Sequence, residues 1–504
     1  MQVRFDLPPG ITDDNTSFAE QARWRDGSNM RFWRGRPQTI GGWERFLLDS
    51  LQGVCRNILP WTDNVGTRNV AFGTHSHLMV EVGGALYDIT PTGLAVGNVD
   101  GLAGLGYGIG GYGLGGYGLA SSTTLFPRTW SLATWGQNLI ASPRGGTIYA
   151  WENNTANRAV PITNAPAVCN NVLVVPQRQV IALGTNESVG GAFNPLCIRW
   201  SDLEDRTIWG ETPTNNAGEQ ILEGSGRIIG GAVAGEGFFV WTDNAVYIAR
   251  FVGDPGQTWR FDRLGENSGL MSPNAAIVVG NIAHWITPSG QFLRCAAGGA
   301  PQAIECPILS DFLDNLAPAQ ADKVTAFHNA RWNEIWWHYP DARDGVECSR
   351  YVALSLNDGA WFRGDMARSA MVDNGAAPFP IGADPAGAVY FHEKGQAADG
   401  GLLSWSIETS DLVLTPEADR VALARGIWPD FYQQGPFVTM TARTRMNPQG
   451  TERFAGAWPI EPGRSKVDFT FSGRSVRLAF EGSGTASFVR FGVPVLDVQP
   501  AGRK

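Results

Sequence analysis

The residues best placed to do chemistry are few. His75 and His77 stand two apart, a spacing that on a strand points both imidazoles to one face and toward one metal ion. Glu81 is the nearest third donor, and with six histidines in all no fuller ligand set emerges. Structural histidines are the plainer reading, so no metal site is assigned. The stretch SDLEDRTIWG (201–210) gathers Asp202, Glu204, Asp205 and Arg206 on one loop. Loop carboxylates can serve glycoside chemistry, but aspartate also closes turns through its own side chain. His392 and Glu393 are adjacent, and adjacent strand residues face opposite ways. The cysteines at 55, 169, 197, 295, 306 and 348 form no CxxC pair, which favours buried free thiols over a zinc or dithiol site. GxSxG, HExxH and P-loop patterns are absent. The reading is of a protein that is not an enzyme, with no catalytic residues and no cofactor.

A different feature stands out. Residues 106–120 read GYGIG, GYGLG, GYGLA, with Tyr107, Tyr112 and Tyr117 five apart. A period of five fits neither helix nor strand. Glycine at this density is too costly in backbone entropy for the interior of either. The tract has aromatics and no charge, unlike a solubilising linker. It reads as an insertion at 101–120 whose tyrosines line a channel or dock a neighbour. The plainer reading is a surface loop without a role.

The elements around it look like strands. The chain has 504 residues with 63 glycines, 30 prolines, 19 tryptophans and 25 phenylalanines, a mixture of turns and aromatic packing. Hairpin-like patterns recur at 78–90, 139–152, 238–252, 282–296, 327–340 and 381–395. Taking Tyr149, Trp200, Tyr247, Phe292, Trp336 and Tyr390 as markers gives gaps of 51, 47, 45, 44 and 54 residues. Such periods, with four strands each, predict a mostly β protein built as a β-propeller of six or seven blades, some degenerate, over 46–395. Two β-sandwiches are the alternative. One short helix is expected at 308–316, with Ser310 or Asp311 as cap. From 396 to 504 apolar and polar residues alternate, predicting a C-terminal antiparallel, β-sandwich-like domain behind a linker at 393–401.

Residues 1–45 form an N-terminal arm or closing strands. Trp24, Trp33 and Trp43 alternate there with arginines including Arg31 and Arg34. Both types are enriched at subunit interfaces, and these five residues are the expected interface set. The start MQVRFDLPPG lacks the apolar run of a signal peptide. No apolar run is long enough for a membrane-spanning helix. Synthesis in a cytoplasm is expected. The net charge of −9 disfavours a nucleic-acid reader, yet suits a surface past which DNA must slide.

Three sets of motifs add to this. The first is Gly10, Trp24, Asp26-Gly27, Met30-Arg31-Phe32, Gly35-Arg36-Pro37 and Ile40-Gly41-Gly42-Trp43. The second follows the glycine tract: Trp130-Ser131, Trp135-Gly136, Leu139, Gly145-Gly146, Ile148-Tyr149 and Trp151. The third is Gly473-Arg474, Val476-Arg477-Leu478, Phe480, Phe488, Arg490, Gly492, Pro494, Leu496-Asp497-Val498, Pro500 and Gly502-Arg503-Lys504. In order and content they resemble the tail nozzle, or tail tubular, proteins of short-tailed (podovirus-type) bacteriophages. That resemblance spans nearly the whole chain. It implies a structural virion protein in the phage tail, a cyclic homo-oligomer (usually a hexamer) below the portal and adaptor ring. It further implies contact with tail fibre or needle proteins, and double-stranded DNA passing through without sequence-specific binding, held until ejection. Two alternatives stay open: a carbohydrate-binding or glycan-cleaving propeller for host recognition, and a tail adaptor or DNA-stabilising plug.

Overall fold

The computed structural model describes residues 2–17, 19–101, 126–224, 226–254, 257–415, 420–435 and 438–501. Tyr107, Tyr112 and Tyr117 lie outside them.

Seven four-stranded antiparallel sheets follow one another along the chain, at 55–88, 130–161, 169–221, 228–266, 276–303, 325–365 and 370–392. Their first strands are Cys55–Thr62, Trp130–Trp135, Cys169–Val175, Ile228–Ala234, Ala276–Val279, Thr325–Asn329 and Ala370–Val372. Each of these strands touches the next, and the last touches the first, closing a ring. This is the arrangement of a β-propeller. Inner strands of the ring such as Gln179–Asn186 are buried almost throughout and carry an unbroken apolar run, here 180–183.

The seventh sheet has only three strands of its own. Its fourth is Trp43–Arg45, pairing Trp43 with His392 and Arg45 with Tyr390. The ring is thus sealed by hydrogen bonds between segments far apart in sequence.

The hairpin patterns are all present, but not at equivalent places. Tyr149, Trp200, Tyr247, Phe292 and Tyr390 lie on third strands, whereas Trp336 lies on a second strand and Tyr87 on a fourth. That displacement explains the uneven marker spacing. The turn after Leu78–Val82 is a two-residue one, Gly83-Gly84, with φ of 61° and 89°. Both glycines are left-handed, as the tightest hairpin turn requires.

Three further sheets contain the rest, and they mix both ends of the chain. Gln2–Arg4 pairs with Val495–Pro500, Trp24–Ser28 with Leu403–Thr409, and Arg36–Thr39 with Val489–Phe491. Residues 2–39 are therefore part of the C-terminal β structure rather than a separate arm. Val438–Arg445 and Val467–Gly473 alternate strictly between buried and accessible, as one-sided sheets do. The segment 393–401 is no free linker either. Lys394, Ala397 and Asp399 exchange backbone hydrogen bonds with Gly42 and Trp43. A continuous buried cluster joins Trp241, Trp285 and Trp337 of the ring to Trp405, Phe480 and Phe491.

The expected helix spans Leu309–Asn315. Neither Ser310 nor Asp311 caps it. The Ser310 N–H instead donates to Asp14 Oδ1 (3.1 Å), tying the helix to the N-terminal segment.

Candidate functional site

The seven first strands surround a cavity of about 260 Å³ to which every sheet contributes, for example Asn57, Ser131, Asn171, Gly231, Ile277 and Met371. Its polar side chains are mostly engaged in holding neighbours. Asn57 donates to Trp130 O (2.8 Å), Asn274 donates to Arg56 O (3.0 Å), and Ser131 Oγ accepts from the Val172 N–H (2.9 Å). Asn57 and Ser131 tie neighbouring first strands together, and Asn274 reaches across from the chain entering sheet five to sheet one.

On the face where these strands begin, the chain leaving sheet one and entering sheet two crosses the ring. Gly101 exchanges two hydrogen bonds with the Gln320 carboxamide (3.0 and 2.9 Å). Lys323 Nζ, with no exposed side chain, binds Asp100 (2.6 Å), Glu347 (2.9 Å) and Val346 O (2.7 Å). Arg56 grips Glu347 through both oxygens (2.8 Å each) and donates to Val99 O (2.8 Å). Gln320 and Lys323 belong to the connection between sheets five and six, on the far side of the ring from sheets one and two. The stem at 94–101 therefore lies over one mouth of the central cavity. In sequence the glycine tract follows this stem, between the last strand of sheet one and the first strand of sheet two.

A second buried cluster joins the N-terminal strands to the ring. Arg31 is wholly buried between two carboxylates: Nε lies 3.1 Å from Glu334 Oε1, and Nη1 and Nη2 donate to Glu393 (2.9 and 2.5 Å). Its guanidinium also lies 4.4 Å from the centre of the Trp332 ring. Glu393 accepts further bonds from Trp332 Nε1, Asn329 Nδ2 and the Gly41 N–H. Burial outweighs Arg31 at Glu334 and pushes its carboxyl up to about 7. At Glu393, Arg31 and the surrounding donors outweigh burial and hold the carboxyl down.

The expected interface residues thus divide. Trp24 and Arg31 are buried by the chain itself, and a side chain without accessible surface cannot contact a neighbour. Trp43 lies on the ring-closing strand. Trp33, half-buried, packs edge-on against Trp332 at 5.0 Å, and Arg34 is exposed.

The other sequence candidates have structural work. His75 and His77 sit in a turn, not on a strand, and His75 Nδ1 accepts the Val54 N–H (2.9 Å). Asp202 Oδ1 accepts the N–H groups of Leu203 and Asn216 (2.8 Å each), and Asp205 Oδ1 accepts from Thr207. Both close turns. His392 Nε2 accepts from Arg368 Nε (2.8 Å). All six cysteines are free and buried, and burial pushes Cys55, Cys169 and Cys348 up to about 12. Among the described residues no group of three or more His, Cys, Asp or Glu is arranged to hold a metal ion. Sequence reasoning missed the stem anchors. Lys323, Glu347 and Gln320 are far apart from the stem in sequence and carry no local pattern.

No family model and no curated protein matches the chain. Among solved structures it is similar to the computationally designed Ika8 protein, at 12% identity over 76% of this chain and 99% of that one, with a TM-score of 0.40. It is similar to the WD40 β-propeller domain of Doa1, at 9% identity over 70% and 98%, TM-score 0.42. A third is a catalytically inactive virginiamycin B lyase from Staphylococcus aureus with quinupristin, at 9% identity over 69% and 97%, TM-score 0.39. Scores this low carry no argument, and the propeller-like ring rests on its own strand pairing.

Proposed function

We propose that this chain is a structural subunit of a short-tailed phage tail, a nozzle-type ring that continues the DNA channel and helps retain the genome. In this reading the seven sheets are seven blades, and the three mixed sheets form a β-sandwich-like C-terminal unit. The observation that carries it is the pairing of the two segments that bear the terminal motifs, 35–43 and 488–494. Between the motif positions, Arg490 Nε donates to Gln38 Oε1 (2.6 Å) and the Val489 N–H to Thr39 Oγ1 (3.2 Å). Motifs that resemble one family at both ends thus build one body.

The subunit's own central cavity is far too small for a duplex, and the stem lies across its mouth. DNA would pass along the axis of the oligomer, between subunits. A net charge of −9 per chain, repeated around a ring, keeps such a wall from holding DNA. This reading assigns Tyr107, Tyr112 and Tyr117 to lining that channel or docking a neighbouring tail protein.

Mass photometry and negative-stain imaging of the purified chain test this. A closed cyclic oligomer is expected. A monomer at every concentration that is also absent from purified particles overturns it.

One observation favours the glycan-binding alternative. An open cleft of about 500 Å³ lies between sheets three and four, lined by Trp200, Trp259, Phe261, Glu219, Glu223 and Arg260. Binding of surface polysaccharide there, lost in Glu219→Ala, would support it. Asp202 and Asp205, committed to turns, do not.

A further inference from the structure

We propose that the face crossed by the stem carries a binding site for a compact oxyanion of phosphate type, formed by Arg128, Arg144 and Arg227 around Phe126. These residues, with Asn98 and Asn170, line a cavity of about 410 Å³ beside the stem. The guanidinium carbons of Arg144 and Arg227 each lie 4.2 Å from the centre of the Phe126 ring.

The charge in this cavity is not balanced. Arg144, 8% exposed, pairs with Asp322 (3.1 Å). Arg128 donates to a backbone oxygen, Ala95 O (2.5 Å), and has no carboxylate partner among the described residues. Arg227 likewise has none, and Asp243 accepts only from its backbone N–H (3.3 Å). Three cations therefore meet one anion, in a protein whose net charge is −9. Residues 102–125 contain no Asp or Glu, so no path of that tract supplies the missing charge. Burial, with Arg227 adding to it, loosens the hold of Arg144 on its proton, and burial does the same at Arg128. A bound anion relieves all of this.

The donors also suit a tetrahedral oxyanion better than a single carboxylate. Three guanidinium forks come from the chain entering sheet two, a turn within it and the chain entering sheet four, so they converge from separate directions. Each fork favours paired contact to two oxygens of a phosphate. The ring of Phe126 stacks on two of them and holds them in place.

The test is calorimetric titration of the whole protein, in low-chloride buffer, with sodium pyrophosphate, with inorganic phosphate and with a short DNA duplex. The variants are Arg227→Gln and Arg128→Gln, both at half-buried positions, and Arg294→Gln on an exposed part of sheet five as control. Pyrophosphate is expected to bind wild type, and each site variant to weaken it by roughly tenfold. The control should bind as wild type. If the duplex also binds and is weakened alike, the anion is a phosphodiester; if only the small anions bind, it is free phosphate. No binding of any probe at millimolar concentration overturns the site, as does undiminished binding by both site variants. The ring reading is decided by oligomeric state, which this titration does not address.

Discussion

Arg31 shows how much one residue does here. It sits between Glu334 and Glu393 with no exposed surface, so the cluster holds one more carboxylate than cation. Removing the cation leaves two buried carboxylates facing each other. Arg31→Met should cost about 3–5 kcal/mol in urea unfolding, the usual result of breaking a buried pair. Glu334 behaves in the opposite sense. Its folded value near 7 lies above its ordinary 4.5, so the stability it contributes is complete below about 4.5 and is lost as pH rises through 7. The buried histidines work against this. Burial pushes His284 down to about 4 and His338 to about 3, so their contribution is lost as pH falls from 6.5. Wild type should therefore lose stability relative to Glu334→Gln between pH 5 and 7.5. Urea midpoints of both proteins across that range check this. A constant difference would show that Glu334 does not titrate there.

At the scale of elements, two contacts decide the architecture. The first is the closing strand, Trp43–Arg45. A Cβ at Gly42 would lie 2.3 Å from Ala397 O and 2.6 Å from Ala397 N, both backbone atoms that cannot swing away. Gly42→Ala should lower stability by about 1–3 kcal/mol, the range for overpacking, measured as a shift of the urea midpoint. The second is the stem. Lys323→Met leaves Asp100 without its buried cation, while Glu347 keeps Arg56. Hydrogen exchange of the Gly97 and Gly101 amides should accelerate, while the amides of Gln179–Asn186 stay protected. Equal acceleration in both would mean that the stem and ring open together.

For the whole molecule, the question is whether subunits assemble into the proposed ring. Arg34 is the exposed member of the expected interface set. Arg34→Glu should shift the oligomer toward monomer by mass photometry without changing the unfolding midpoint. Deleting 104–118 should leave that midpoint unchanged too, because both ends of the tract are anchored independently of it. Particles carrying the deletion should leak DNA or fail to assemble. Normal retention and infectivity would reduce the tract to a surface loop.

Much of this was legible in the chain alone. Strand content, the recurring hairpins, the change of texture near 396 and the short helix at Leu309–Asn315 follow from local periodicity and turn chemistry, which neighbouring residues set. Tertiary structure alone decided the rest. Nothing near Trp43 says that it completes a sheet begun at Ala370, and nothing near Lys323 says that it holds Asp100. Residues 1–45 read as an arm or closing strands with no partner named, because the strands that 2–39 pair with lie more than 350 residues away. Trp24 and Arg31 have the composition of an interface, and only packing shows that they face inward. The physical reason is the same in each case. A ring and its closure are made by pairing between distant segments, and burial depends on what arrives from elsewhere.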